Sequence, residues 1–205
     1  MLTDGQIEEL ASRMGIPLVF CGFKNELPNK LQTNKSYIIN MENDMDIDGK
    51  INGGSHWTCF QVVEYPNHKK EAIYFDSFGI GAPELIKKKV KSNFGVSIPH
   101  TNKDVQSLMS DACGYYCLAF LHFINECPLR SRYLYDDVNT FMDLFDDLNS
   151  SVDWKKNEYI LKHFFQSKDP IKRRAVDVLT EDMKEAARKI QEDGTTALPV
   201  EVKYV

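Results

Sequence analysis

The sequence has neither an excess of basic residues nor a long hydrophobic run. Its 25 lysines and arginines face 30 aspartates and glutamates, which gives a formal net charge of -5, so nothing in the composition predicts a nucleic-acid partner. The longest apolar stretch, around residues 117–124, is far too short to cross a bilayer. The residues after Met1 also lack the basic and apolar regions of a signal peptide. We therefore expect a soluble protein, made in the cytosol, that has no membrane partner.

Cysteine is scarce and odd in number. The five cysteines are Cys21, Cys59, Cys113, Cys117 and Cys127. An odd count without an export signal argues against a disulfide framework, so at least one thiol is expected to matter for its reactivity. Cys113 and Cys117 have the spacing of half a zinc site, but no second pair at ligand spacing exists. We predict no metal and no other cofactor.

The hydrophobic pattern predicts an α+β fold. The capping-box residues Thr3 and Gln6 open a predicted helix that runs to about Met14. Further helices are predicted over residues 83–94, from Gly114 to a stop at Pro128, and over 135–147, 154–166 and 180–192. Strands are predicted over residues 16–21, 36–41, 56–65, 72–76 and 96–100, with a tail or edge strand over 197–205.

The order of these elements favours a mixed, mainly antiparallel central sheet. It packs against a buried helix that begins at Cys113, with extra helices at the C-terminal end. We expect residues 1–150 to form the main domain. Residues 151–205 are expected to form a helical appendage packed on the same domain.

Four polar residues have the chemistry of a thiol-dependent hydrolase. Cys113 stands where the buried helix begins, and the positive end of a helix dipole favours a thiolate. His56 starts one strand and Asp76 follows the next, so an antiparallel hairpin places the imidazole beside the carboxylate. Gln106 can offer an amide N–H to a developing oxyanion, together with the backbone N–H of Cys113.

The same residues lie in motifs that resemble the adenovirus maturation proteases, which are relatives of the SUMO-specific proteases. The matching segments are Gly53-Gly54-Ser55-His56-Trp57, Asp76-Ser77-Phe78-Gly79, and Gln106 followed by Ala112-Cys113-Gly114. The resemblance covers roughly residues 3–130 and is most specific between Gln106 and Cys113. The chain looks most similar to the capsid-maturation proteases of virophages and Polinton-like viruses.

The resemblance implies a role for each site residue. Cys113 is the nucleophile, His56 the base, Asp76 the acid that orients the base, and Gln106 the oxyanion donor. A second set binds substrate, with a narrow cleft that admits small residues before the cut. This set is Trp57, Gly54 and Gly114. The implied function is cleavage of viral capsid precursors by a monomeric endopeptidase in the virion and the host-cell cytoplasm.

Two departures from the adenoviral pattern bear on control and substrate. Asp76 replaces the adenoviral glutamate, and aspartate is what the SUMO-protease relatives carry. No cysteine lies just upstream of Gln106, so a disulfide-linked peptide activator is not expected, and the acidic charge speaks against DNA as activator. The alternatives are a protease of SUMO or ubiquitin-like modifiers, a non-catalytic capsid-binding module, and the acetyl transfer found in a more distant relative of the fold.

Overall fold

The computed structural model describes residues 1–126, 133–148 and 154–166. The predicted stop at Pro128, the predicted helix 180–192 and the predicted strand 197–205 lie outside these residues. The helices are α1 (Asp4–Arg13), α2 (Glu84–Phe94), α3 (Cys113–Glu126), α4 (Leu134–Met142) and α5 (Trp154–Gln166), with a short 3-10 turn at Lys24–Glu26. The strands are β1 (Leu18–Phe23), β2 (Lys35–Asn40), β3 (Trp57–Glu64) and β4 (Lys70–Phe75). No helix in the described part is both long and apolar enough to cross a membrane.

The four strands form one mixed sheet in the order β1-β2-β3-β4. Strands β1 and β2 are parallel, whereas β2 pairs with β3 and β3 with β4 in antiparallel fashion. This confirms the predicted α+β class, the mainly antiparallel sheet and the hairpin. The capping box is also confirmed, since Thr3 accepts from the Gln6 backbone and the Gln6 side chain accepts from the Thr3 backbone.

The predicted strand over residues 96–100 is wrong. This segment makes one isolated parallel bridge, between Tyr74 and His100, and no ladder. Tyr74 donates to the Pro99 carbonyl at 2.9 Å, but Pro99 has no N–H with which to extend the pairing. The helix predicted over residues 135–147 is shorter in the structure, where α4 ends at Met142.

Both faces of the sheet are buried. Neighbouring residues of a strand point to opposite faces, so each strand contributes side chains to two cores. On one face Trp57, Cys59 and Phe75 join a core with α1, α3, α4 and α5. On the other face Phe60 and Tyr74 pack with α2. Helix α3 is therefore the central buried helix that its nearly uniform apolar sequence predicts.

An aromatic cluster joins α3 and α4 to the sheet. Phe75 stacks on Phe120 with ring centroids 4.5 Å apart. The fully buried ring of Phe141 lies 5.4 Å from Phe120, 5.5 Å from Phe123 and 5.2 Å from Phe145. Phe141 thus holds the packing on one side of α3 together.

Replacing Phe141 by alanine is expected to lower the free energy of unfolding by about 3–5 kcal/mol, because a large cavity opens among rings that cannot close on it. Urea titration followed by tryptophan fluorescence measures the loss. Leu85→Ala on α2, whose side chain is partly exposed, is the control and should cost far less. A loss below about 1 kcal/mol for Phe141→Ala would show that the cluster repacks.

Candidate active site

The hairpin places His56 and Asp76 side by side. His56 immediately precedes β3 and Asp76 immediately follows β4, and the register pairs Cys59 with Phe75. His56 Nε2 lies 2.8 Å from Asp76 Oδ1, and Asp76 is buried. The carboxylate therefore fixes the ring and stabilises an imidazolium, as the hairpin geometry predicts.

Cys113 also acts on the His56 imidazole. Burial lowers the pKa of His56, but the hydrogen bond to Asp76 and the nearby Cys113 thiol raise it, and the net result is a pKa of about 9. Because Nε2 faces Asp76, the ring nitrogen available to the Cys113 thiol is Nδ1. Cys113 is the first residue of α3 and is buried. The three residues thus meet in the order of a Cys-His-Asp triad.

Phe78 holds the imidazole from a third direction. Its ring stacks on His56 with centroids 4.5 Å apart and 26° between the planes. Its backbone N–H donates to Asp76 Oδ1 at 2.9 Å, so one short turn supports both the acid and the base. In the sequence Phe78 is only one member of the motif Asp76-Ser77-Phe78-Gly79, with no role predicted for it alone. An aromatic residue two positions after the acid was the available signal.

Gln106 is oriented by two hydrogen bonds. Ser77 Oγ donates to Gln106 Oε1 at 2.8 Å, and Gln106 Nε2 donates to the Ser110 carbonyl at 2.8 Å. The side chain is buried, and its second Nε2 hydrogen is left for another acceptor. This arrangement suits an oxyanion donor. Ser77 is a positioning residue that sequence reasoning missed.

The three residues predicted to bind substrate each lie against another part of this chain. Trp57 is buried, and its Nε1 donates to the Leu2 carbonyl at 2.9 Å. A Cβ on Gly114 would lie 3.3 Å from Leu2, so the missing side chain makes room for the N-terminal segment. Gly54 has φ +77°, and a Cβ there would collide with the Asn40 side chain at 2.3 Å. Contact of these three residues with substrate stays a prediction.

The other thiols and the other imidazole of the core have structural partners of their own. Cys59 and Cys117 are fully buried, and Cys117 Sγ lies 3.4 Å from the Trp57 carbonyl. His122 is buried with Nδ1 at 3.1 Å from the Met14 carbonyl. Across residues 1–126, 133–148 and 154–166 no three His, Cys, Asp or Glu side chains converge in a group that could hold a metal.

Activity is expected to fall as pH rises through about 9, because His56 then loses the proton that it must deliver to the leaving group. Since the pKa is raised by folding, the stabilising contribution of this proton is full below about 6.5 and is lost as pH rises through about 9. Asp76→Asn removes the anionic partner and should move the alkaline limb of kcat/KM to lower pH. Asp136→Asn, at an exposed position on α4, is the control. If the alkaline limb of kcat/KM stays at the same pH in Asp76→Asn, then that limb does not report the titration of His56.

Comparison with known proteins gives remote likenesses only. No protein-family model matches the chain, and no curated protein matches it significantly. The structure of HopZ1a in complex with IP6 aligns over 95% of this chain and 70% of that one, at 13% identity and a TM-score of 0.42. The Xanthomonas campestris effector XopD bound to ubiquitin aligns over 90% of both chains, at 10% identity and a TM-score of 0.37. At such scores neither structure transfers a function to this chain.

Proposed function

We propose that the chain is a cysteine protease in which Cys113 is the nucleophile. The observation that carries the proposal is the hydrogen bond of 2.8 Å between His56 and Asp76, together with Cys113 at the start of α3, whose thiol raises the pKa of His56. Each member supplies what a thiol protease needs: a nucleophile at a positive helix end, a base, and a buried acid that orients it. A binding module without chemistry has no need of this arrangement.

The reaction proceeds through a thioester. The Cys113 thiolate attacks the carbonyl carbon, and the oxyanion accepts from Gln106 Nε2 and from the Cys113 backbone N–H. His56 gives its proton to the leaving amine as the C–N bond breaks. Water then enters and gives one proton to His56 as its oxygen attacks the carbonyl carbon of the thioester. The C–S bond breaks, which releases the acid product and restores the Cys113 thiolate. Asp76 keeps the imidazole in place through both steps.

The proposed substrate is a viral capsid precursor, cleaved during assembly in the virion or the host-cell cytoplasm by a monomer of this protein. The motif resemblance supports this assignment. Asp76, the residue of the SUMO-protease relatives, favours a second candidate, the removal of SUMO or a ubiquitin-like modifier after Gly-Gly. Both candidates require a small residue before the cleaved bond.

One pair of substrates tests the narrow cleft, and a second set of probes separates the two candidates. Purified protein is incubated with a capsid precursor that has a glycine before the cut, and with the same precursor carrying phenylalanine there; fragments are identified by intact mass. We expect cleavage of the glycine form only, and equal cutting of both forms would refute a narrow cleft. Vinyl sulfones of SUMO and ubiquitin are added in parallel. Covalent capture at Cys113 by either vinyl sulfone would select the modifier protease over the capsid protease.

A further inference from the structure

The most exposed apolar side chains of the described residues are confined to two loops. Ile47 is 104% exposed, Met109 90%, Ile51 88% and Leu108 85%, whereas no other large hydrophobic in the described part of the chain exceeds 61%. Scattered half-exposed apolar residues are normal on a protein surface. Four nearly bare aliphatic side chains in two loops are not, because their hydration costs free energy that a partner can recover.

These two loops end in the catalytic pair. Ile51 lies five residues before His56, and Leu108 lies five residues before Cys113. Five residues span at most about 18 Å even when fully extended. Ile51, Leu108 and Met109 therefore lie within one short peptide length of the imidazole or the thiol, on the segments that lead into them, and Ile47 lies four residues further from His56 than Ile51 does.

The loop before His56 is an ordered arm, defined here as residues 44–52. A bridge pairs Met45 with Ile51, and Asn52 donates to the Asp44 carbonyl at 2.8 Å. Asn25 holds its base: Asn25 Nδ2 donates to Asp44 Oδ1 at 2.7 Å, and the Asp44 N–H donates to Asn25 Oδ1 at 3.1 Å. Ile47 is thus presented at the end of a closed hairpin.

The arm is acidic around its exposed apolar residues. Asp46 and Asp48 flank Ile47 and are both exposed, with Asp44 at the base and Lys50 as the one basic residue of the arm. A partner that covers Ile47 and Ile51 must also meet these carboxylates. Basic residues beside apolar ones on the partner would complement them, and acidic residues would be repelled.

We propose that the arm and loop 107–110 form a docking surface for the protein substrate of the Cys113 site. It binds a segment in which aliphatic side chains alternate with lysine or arginine, on either side of the cleaved bond. The inference rests on the proposed protease function, since it takes the occupant to be the substrate. It assigns substrate selection to residues outside the catalytic triad, so peptides that contain only the bond and its neighbours lack most of the binding energy.

Binding of synthetic probes to the inactive Cys113→Ala protein tests the docking surface without any need for turnover. One fluorescein-labelled peptide contains a Gly-Gly-Ser core alone. A second has alternating isoleucine and lysine on both sides of that core, and a third has serine and glutamate there instead. Fluorescence anisotropy should show the isoleucine–lysine peptide binding at least about tenfold more tightly than the other two, which corresponds to burial of one or two aliphatic side chains.

The docking variant carries Ile47→Ser, Ile51→Ser, Leu108→Ser and Met109→Ser, and should lose that tenfold gain. Val19→Ser with Leu85→Ser, which changes exposed apolar residues on β1 and α2, should keep it. Equal binding of the three peptides, or a gain that survives the docking variant, would overturn the proposal even if the wild type cuts peptides. Analytical sedimentation compares the protein with and without the four serine substitutions. If it forms a dimer only when the four apolar residues are present, the surface binds a second copy, and the proposal is overturned as well. Absence of cleavage by the wild type, with the binding gain present, would instead count against the protease function.

Discussion

Replacing Cys113 by alanine is expected to reduce kcat for peptide hydrolysis by about a million-fold, to the background rate. No acyl intermediate can form without the sulfur, and His56 with Asp76 alone has no thiol to activate. Cleavage fragments and the transient thioester, trapped by acid and read by intact mass, should both disappear. Since Phe141 and its neighbours are untouched, the protein should remain folded by circular dichroism.

Cys21→Ala is the matched control, because it removes a thiol of another kind. Burial together with Glu8 and Asp4 raises the pKa of Cys21 to about 12, so this thiol stays protonated at neutral pH and is a poor nucleophile. Full activity is expected. If Cys113→Ala still cut and Cys21→Ala did not, the nucleophile would be wrongly assigned.

Replacing Gln106 by alanine should cost about 10²–10³ in kcat, with KM nearly unchanged, because the oxyanion loses a donor that acts only in the transition state. Gln106→Glu is the sharper test. A carboxylate keeps an acceptor for the Ser77 hydroxyl but has no N–H to donate and adds a negative charge, so it should be at least as damaging as alanine.

Ser77→Ala should produce a smaller loss in kcat. It removes the hydrogen bond that fixes Gln106 Oε1 but leaves the donor in place, so the amide spends part of its time turned away. Ser92→Ala on α2 is the control for loss of a serine hydroxyl.

For Gln106 itself, a wild-type kcat in Gln106→Ala would contradict its role. The backbone N–H of Cys113 would then be left as the oxyanion donor, and Gln106 would have no part in the mechanism.

The parts of the site that local patterns encode could be predicted from the sequence. The β-branched and aromatic runs on either side of a polar turn specify the β3–β4 hairpin, and the hairpin alone brings His56 to Asp76. The long apolar run after Cys113 specifies a buried helix, and Cys113, the proposed nucleophile, is its first residue. Each of these inferences needs only neighbours in the chain.

What the sequence could not supply are contacts between distant segments. Ser77 and Gln106 are 29 residues apart, and neither residue type signals the other. Gly114 packs against Leu2, near the other end of the sequence, and nothing in the residues around Gly114 signals this contact. Residues 96–100 show a different kind of failure. Their composition is typical of a strand, but Pro99 has no N–H to donate, and the segment forms no ladder with β4.

Helix α5 contacts the segment that carries Gln106 in the proposed active site. Its fully buried Asn157 donates from Nδ2 to the carbonyl of Val105, the residue before Gln106, at 3.1 Å, and accepts from the Asp146 N–H at 2.8 Å. Ile160 and Leu161 on the same helix belong to the core that surrounds α3. A nonsense mutation before Trp154 would therefore remove a support of the Gln106 segment and part of the core around α3, so we expect it to damage the proposed active site and not only shorten the chain.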